Sequence, residues 1–300
     1  MSEPAADRLP RGRRLAYRLQ AWGAWAFYGL VGLLPARTAS DLGGWLGRLV
    51  GPRAAVSRRA RRNLERAFPD KSPDQIDAIL AGMWDNLGRT LFEFPHLARF
   101  RFNTPGAEVE IVGVEHLELL RDDGAPGIFF SGHMANWEVA ALTTSHIGLP
   151  IHLIYRAPNN PYADALFRRR HPYEGEMLPK GPRGARRAMK LLGQGGHLGM
   201  LVDQKMNDGI PVPFFGRDAM TAPALAQLAL RYRCPVVPAR VERLGPAHMR
   251  VTLFPPMDLP DSGDRAADVA AVMARVNGML EAWIRERPEQ WLWLHNRWPD

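Results

Sequence analysis

The spacing of apolar positions along this chain changes near residue 108. Before that point it has helical period, and residues 37–107 read as helices. Ser72-Pro73-Asp74-Gln75 has the form of a capping box with proline at the first helical position. It opens an amphipathic run through Ile76, Ile79, Leu80, Met83, Leu87, Leu91 and Phe92. Further upstream, Leu19 to Ala36 carries no charge and holds Trp22, Trp25, Phe27, Tyr28, Leu30, Leu33 and Leu34. These 18 residues fall just short of a bilayer span, and Pro35 with three glycines weakens one further. With arginines ahead of it, the run is expected to form a helix in a membrane interface, basic flank toward the cytoplasm. The alternative is an apolar helix packed on the rest of the chain. Met1 to Arg18 is polar and basic and is expected to be disordered until it meets a surface. No convincing small-x-small cleavage site follows, which argues against a secretory signal.

After residue 108 strand and helix patterns alternate. The expected strands are Val109–Val114, Gly127–Phe130, Ile151–Tyr155, Leu198–Val202, Val236–Val241 and Met249–Phe254, with helices at 134–146, 161–171, 183–193 and 222–232. A last helix, Asp264 to Arg287, carries a core-facing stripe through Val269, Val272, Met273, Val276 and Leu280. The fold class expected is α/β, a mixed central sheet flanked by helices, with a helical membrane-associated N-terminal region. The expected partition is 1–36 (tail and anchor), 37–107 (helical) and 108–300 (α/β), with 37–300 as one compact unit.

Composition narrows the chemistry. A single cysteine, Cys234, excludes an internal disulfide and argues against a cysteine-rich metal site, and its Arg-Cys-Pro setting reads as core. The net charge of +8 is concentrated: residues 1–62 carry +9 and residues 150–190 carry +6, so the remainder is acidic. Two basic regions suit anionic lipid, nucleic acid or an acidic protein. Arg58-Arg59-Ala60-Arg61-Arg62 reads either as a solvated helix face or as a lipid contact.

The stretch with most chemistry is Phe129 to Glu138. A buried strand ends at Gly132, a helix follows, and His133 stands at the junction with Glu138 five positions on. Inside one helix the two would point ~140° apart. They meet only if His133 stays in the loop and folds back over the first turn, which Gly132 permits. Glu138 could then hold one ring nitrogen and leave the other as a base. The alternative is a surface histidine beside a helix-start acid. No Gly-x-Ser-x-Gly elbow, His-Glu-x-x-His, P-loop or dinucleotide fingerprint is present. A base with no resident nucleophile or metal motif suggests activation of a hydroxyl on the substrate.

Gly132-His133-Met134-Ala135-Asn136-Trp137-Glu138 resembles the His-x4-Asp/Glu motif of the glycerolipid acyltransferase superfamily, in the Asn-Trp-Glu form of the bacterial lipid A late acyltransferases. Further blocks are similar in the same order: Asn63-Leu64 through Ala67-Phe68-Pro69, Tyr155-Arg156-x-x-Asn159-Asn160-Pro161, Arg168-Arg169-Arg170, Asp203-Gln204, Pro213-Phe214-Phe215-Gly216, and Pro288-Glu289-Gln290-Trp291-x-Trp293-x-His295-x-Arg297. The resemblance implies transfer of a fatty acyl group from acyl carrier protein, or coenzyme A, to a hydroxyl of a lipid A precursor. In it His133 is the base and Glu138 its orienter. Asn136, Arg156, Arg169, Arg170, Asp203 and Gln204 are then the expected substrate contacts, with Asp203 holding Arg169 or His133. Arginine suits a phosphorylated headgroup because its guanidinium binds phosphate in a bidentate way. Lys180, Arg183, Arg186 or Arg187, and Lys190 recur at helical spacing and offer either a solvated face or a second anionic contact. Trp291 and Trp293 read first as packing. The only co-substrate expected is the acyl thioester, on the phosphopantetheine of acyl carrier protein or on coenzyme A. No tightly bound cofactor, metal or nucleic acid is expected. The location implied is the cytoplasmic face of the inner membrane. A lysophospholipid or another glycolipid is the alternative acceptor, and a basic peripheral membrane-binding protein the alternative without catalysis.

Overall fold

A computed structural model describes residues 10–155, 160–163 and 175–298. Its strands in chain order are β1 (Val109–Val112), β2 (Gly127–Ser131), β3 (Ile151–Tyr155), β4 (Met177–Pro179), β5 (His197–Leu201), β6 (Lys205–Phe214), β7 (Arg217–Thr221), β8 (Val236–Gly245) and β9 (His248–Leu253). Seven of them form one sheet in the order β1-β9-β8-β2-β5-β3-β4, and β6 and β7 form a separate hairpin. Neighbours in the large sheet run parallel except β8 and β9, so the sheet is mixed, as expected. β2 lies at its centre and is buried on both faces, which is why it reads as an unbroken apolar run. Its side chains alternate between two cores. Ile128 and Phe130 join α9 (Arg265–Glu286) and the C-terminal tryptophans. Phe129 faces Val139, Val237 and Val251 on the other side.

The helices before the sheet are α1 (Arg11–Val31), α2 (Ala36–Val50), α3 (Ser57–Ala67) and α4 (Pro73–Glu93). Both bonds of the capping box at Ser72 and Gln75 are formed. α2 meets α4 through small residues: a Cβ on Gly43 or Gly88 would strike the other glycine's carbonyl oxygen, and one on Gly47 would strike that of Trp84. Among the described residues no helix is long and apolar enough to cross a membrane. Within the sheet region lie α5 (Glu115–Asp122), α6 (Glu138–His146), α7 (Pro182–Leu192) and α8 (Ala224–Tyr232). Cys234 is buried, and burial pushes its thiol up to about 11, so it packs in the core.

Some expectations need correction. Residues 11–18 are helical, because all but Gly12 and Tyr17 are arginine, leucine or alanine, which are good helix formers. The helix expected from residue 134 begins at Glu138, because Met134 pairs with Trp291 and Ala135 takes a positive φ of 49°. The hairpin β6–β7 was hidden by Pro211 and Pro213, which are tolerated because β6 pairs on one side only. Its turn is Phe215-Gly216, both with positive φ. Of the helix expected at 161–171, Pro161–Ala163 form a single 3-10 turn and the remainder lies outside the described residues.

Candidate active site

The register of β2 and β5 creates the site. These parallel neighbours pair Ser131 with Leu201, so the two chains leave the sheet side by side. Two residues beyond each strand stand His133 and Asp203. The Asp203 carboxylate accepts from His133 Nδ1 at 2.7 Å through Oδ1, and from the His133 backbone N–H at 2.7 Å through Oδ2. Trp291 Nε1 donates to the same Oδ2 at 2.7 Å. Burial alone would raise the pKa of this fully enclosed carboxyl, but His133 and these hydrogen bonds outweigh it and hold Asp203 well below the usual carboxylate range. Asp203 therefore stays ionised and fixes the ring.

The other ring nitrogen faces Gln204, whose Nε2 lies 3.2 Å from His133 Nε2 and 3.1 Å from His295 Nε2. Lys180 Nζ donates to Gln204 Oε1 at 3.2 Å. Because an ammonium group only donates, it fixes the amide with its oxygen toward Lys180 and its NH2 toward both imidazoles. Each Nε2 must then be an acceptor, so His133 carries its proton on Nδ1, toward Asp203. Burial first, then the His133 ring, Lys180 and Arg59 lower the His295 pKa to about 4 against the pull of Asp203. The His295 segment is held by Asn63, whose amide donates to Trp293 O at 2.9 Å and to His295 O at 2.6 Å.

Sequence and structure differ over Glu138. His133 does stand outside the helix, but the acceptor on its Nδ1 is Asp203, because parallel register brings Asp203 alongside while Glu138 starts α6. Glu138 instead accepts from Trp137 Nε1 at 3.1 Å, and the Trp137 ring tilts against His133 with centroids 5.2 Å apart. Glu138 thus touches the His133 ring through an indole. Asn136 is also displaced from its expected role. It is fully buried, and its Nδ2 donates to Glu93 at 2.8 Å within a network that includes Arg243, Asn86 and Thr90. That network anchors the histidine loop, since Asn86 and Thr90 also donate to Ala135 O. Arg156, Arg169 and Arg170 lie outside the described residues. Arg187 is drawn into an ion pair with Glu176, leaving Arg183, Arg186 and Lys190 as the exposed charges of α7.

His133, Glu138, Gln204, Lys180 and His295 line one cavity of about 400 Å³. Its other walls are apolar: Leu87 and Leu91 of α4, Phe129 of β2, Ala140 and Ala141 of α6, and Leu153 of β3. Gly199 lies in the floor, where a Cβ would come within 2.5 Å of both Leu153 and Phe129. The site is thus an apolar pocket with the His133 imidazole at one end, a shape suited to a long hydrocarbon carrying one polar group. Sequence reasoning missed Lys180's contact with Gln204 and the roles of Asn63, Asn86 and His295. Asn63 and His295 stand in blocks that resemble a family, whereas Lys180 reads only as part of a basic helix face and Asn86 carries no signal at all. Among the described residues no group of three or more His, Cys, Asp or Glu is arranged to hold a metal ion.

The family model for bacterial lipid A biosynthesis acyltransferases matches residues 8–300. A lipid A biosynthesis acyltransferase of Haemophilus influenzae is 25% identical over 285 residues, covering 92% of this chain and 87% of that protein. The lipid A biosynthesis myristoyltransferase of Escherichia coli is 26% identical over 280 residues, 91% and 85% of the two chains. The lauroyltransferase of the same organism is 26% identical over 308 residues, 96% and 95%. The chain belongs to the bacterial lipid A biosynthesis acyltransferase family and is an acyltransferase.

Proposed function

We propose that this enzyme moves a fatty acyl group from a thioester, carried by acyl carrier protein, to a hydroxyl of a lipid A precursor, with His133 as the general base. Coenzyme A is the alternative carrier. The observation that carries the reading is the Asp203–His133 pair at one end of the apolar cavity, with the proton on Nδ1 and the lone pair of Nε2 directed inward. A hydroxyl bound at Nε2 would lose its proton there as its oxygen attacks the thioester carbonyl, while buried Asp203 stabilises the imidazolium that forms. Glu138 supports the same cation at longer range and holds Trp137 against the ring. The exposed cations of α7, with Arg59 and Lys180 near His295, suit the phosphates of an anionic glycolipid.

The location we assign is the cytoplasmic face of the inner membrane, with α1 and α2 lying in the interface. Support comes from outward side chains on the two helices and the turn between them: Trp22, Leu30, Leu33, Trp45, Leu49 and Val50 are all exposed. Leu91 on α4 is both exposed and part of the cavity wall, so apolar surface extends to the cavity itself.

The test is to incubate the full chain with a lipid A precursor and acyl-carrier-protein thioester or acyl-coenzyme A, wild type beside His133→Ala. Acylated product from the wild type and at least about 10³-fold less from the variant is expected. Equal turnover by the two would reject His133 as the base, and absence of product with both donors would reject the acyl-transfer assignment to this acceptor.

A further inference from the structure

In the resting site the base is capped. Gln204 Nε2 donates to His133 Nε2 at 3.2 Å, so an incoming hydroxyl must displace that amide hydrogen before its own proton can be taken. The displaced amide is still held, because its second hydrogen goes to His295 Nε2 at 3.1 Å and its oxygen to Lys180 at 3.2 Å. It becomes a fixed N–H donor that loses its acceptor as the reacting hydroxyl arrives. With the attacking oxygen about 2.8 Å from His133 Nε2, the carbonyl oxygen of the thioester lies roughly 4–4.5 Å from that nitrogen. A donor nitrogen 3.2 Å from Nε2 on the same side is within one hydrogen bond of that position. The Trp137 indole N–H is engaged with Glu138 at 3.1 Å, and one hydrogen of the Lys180 ammonium holds the Gln204 oxygen.

We infer that Gln204 is the oxyanion donor of the acyl transfer, and that His295 is the positioning residue that holds its amide. The assignment rests on the reading of His133 as the base. In the first step the acceptor oxygen bonds to the thioester carbon, its proton passes to His133 Nε2, and the carbonyl π pair becomes an oxyanion that accepts from Gln204. In the second step the carbonyl re-forms, the carbon–sulfur bond breaks, and the thiolate takes the proton back from His133. Ester and thiol are the products, and no further reactant is consumed. His295 serves as an acceptor because its Nε2 is unprotonated. Burial, with His133, Lys180 and Arg59 nearby, keeps it so down to a pH of about 4.

Turnover of a lipid A precursor with acyl-carrier-protein thioester, measured on the full chain, tests both roles. Gln204→Met keeps length and removes the donor, and should lower kcat roughly 10²–10³-fold with KM for both substrates within about threefold. Gln204→Glu keeps an oxygen for Lys180 but offers no N–H, and should show the same loss, so a misfolded methionine variant would not leave the question open. His295→Ala should cost roughly 10-fold alone and under about twofold in the Gln204→Met background, since the two act as one unit. A phosphonate analogue of the tetrahedral intermediate should bind Gln204→Glu more weakly by the factor lost in kcat/KM, while an unreactive thioether analogue binds equally. A Gln204→Glu enzyme within about threefold of wild type, beside an inactive His133→Ala, would overturn the oxyanion assignment and leave the base in place. Additive losses at Gln204 and His295 would overturn the positioning role. An active His133→Ala would overturn the reading beneath both.

Discussion

Asp203→Asn isolates what one carboxylate does at this site. Oδ2 accepts two N–H groups, from the His133 backbone and from Trp291, so an amide NH2 cannot occupy that position. The amide nitrogen would turn toward Nδ1 instead, driving the ring proton to Nε2 and leaving no base. We expect kcat to fall roughly 10³–10⁴-fold with near-normal secondary structure, read by turnover and circular dichroism. A loss under about tenfold would reject Asp203 as the orienter. His295 gives a second, pH-dependent prediction. Its pKa in the folded chain, about 4, lies below the ordinary histidine value, so between those two pH values the unfolded chain binds more protons. Stability contributed by this group is full above pH ~6.5 and is lost as pH falls toward 4, by on the order of 3 kcal/mol at most. His295→Gln should flatten the decline of Tm with acid over that window, and an unchanged slope would contradict the assignment. The placing of His133 at a strand-to-helix junction was legible in the sequence, because a histidine after a buried strand and a glycine break is a local pattern. Its Nδ1 partner was not: the motif pointed to Glu138, while Asp203, read as holding Arg169 or His133, stands 70 residues away and comes alongside only through the register of β2 with β5. Asn136 was misread for a related reason: an amide in a motif says nothing of the buried Glu93 that receives it.

Two glycine substitutions separate propensity from packing among the helices. Gly278 sits on the exposed side of α9 with open space where a Cβ would go, so Gly278→Ala should stabilise by about 0.5–1 kcal/mol. Gly88→Ala makes the same change in α4, but its Cβ would land on the Gly43 carbonyl oxygen and on the chain at Gly47. It should destabilise by roughly 1–3 kcal/mol as α2 and α4 are forced apart. Urea denaturation of the two variants checks the pair, and equal signs would refute the close-packed seam. Elements with a strong period were legible. Ile151–Tyr155 matches β3 at both ends, and Ser72 with Gln75 marks the start of α4. What escaped was structure maintained by distant partners. The β6–β7 hairpin contains two prolines, and the loop from Gly132 to Trp137 looks helical until Met134 pairs with Trp291.

On the scale of the whole molecule, α2 turns its small residues inward and its large apolar ones outward. Ala39, Ser40, Gly43 and Gly44 are buried, while Trp45 is 53% and Leu49 47% exposed. A helix whose only task was to cover a core in water would show the opposite pattern. With Trp22 and Leu30 of α1 and Leu33 of the turn that follows, this makes a broad apolar surface, and the segment 11–53 carries seven arginines against one acid, Asp41. Such a surface suits the headgroup–acyl boundary of an anionic bilayer, and the exposed Leu91 brings it to the wall of the cavity that holds His133. An acceptor with several acyl chains would then reach His133 without leaving the lipid phase. Trp45→Glu with Leu49→Glu in the full chain tests this, because neither side chain is needed for the core. Each apolar side chain inserted into lipid contributes roughly 1–2 kcal/mol, so partition onto vesicles containing phosphatidylglycerol should fall about 10²-fold. The urea midpoint should move by less than about 0.5 kcal/mol equivalent, as for other surface substitutions. Sedimentation with vesicles across a salt series provides the readout, with binding that weakens as salt screens the arginines. Unchanged partition of the double variant would remove α2 from the membrane face and leave α1 as the sole candidate.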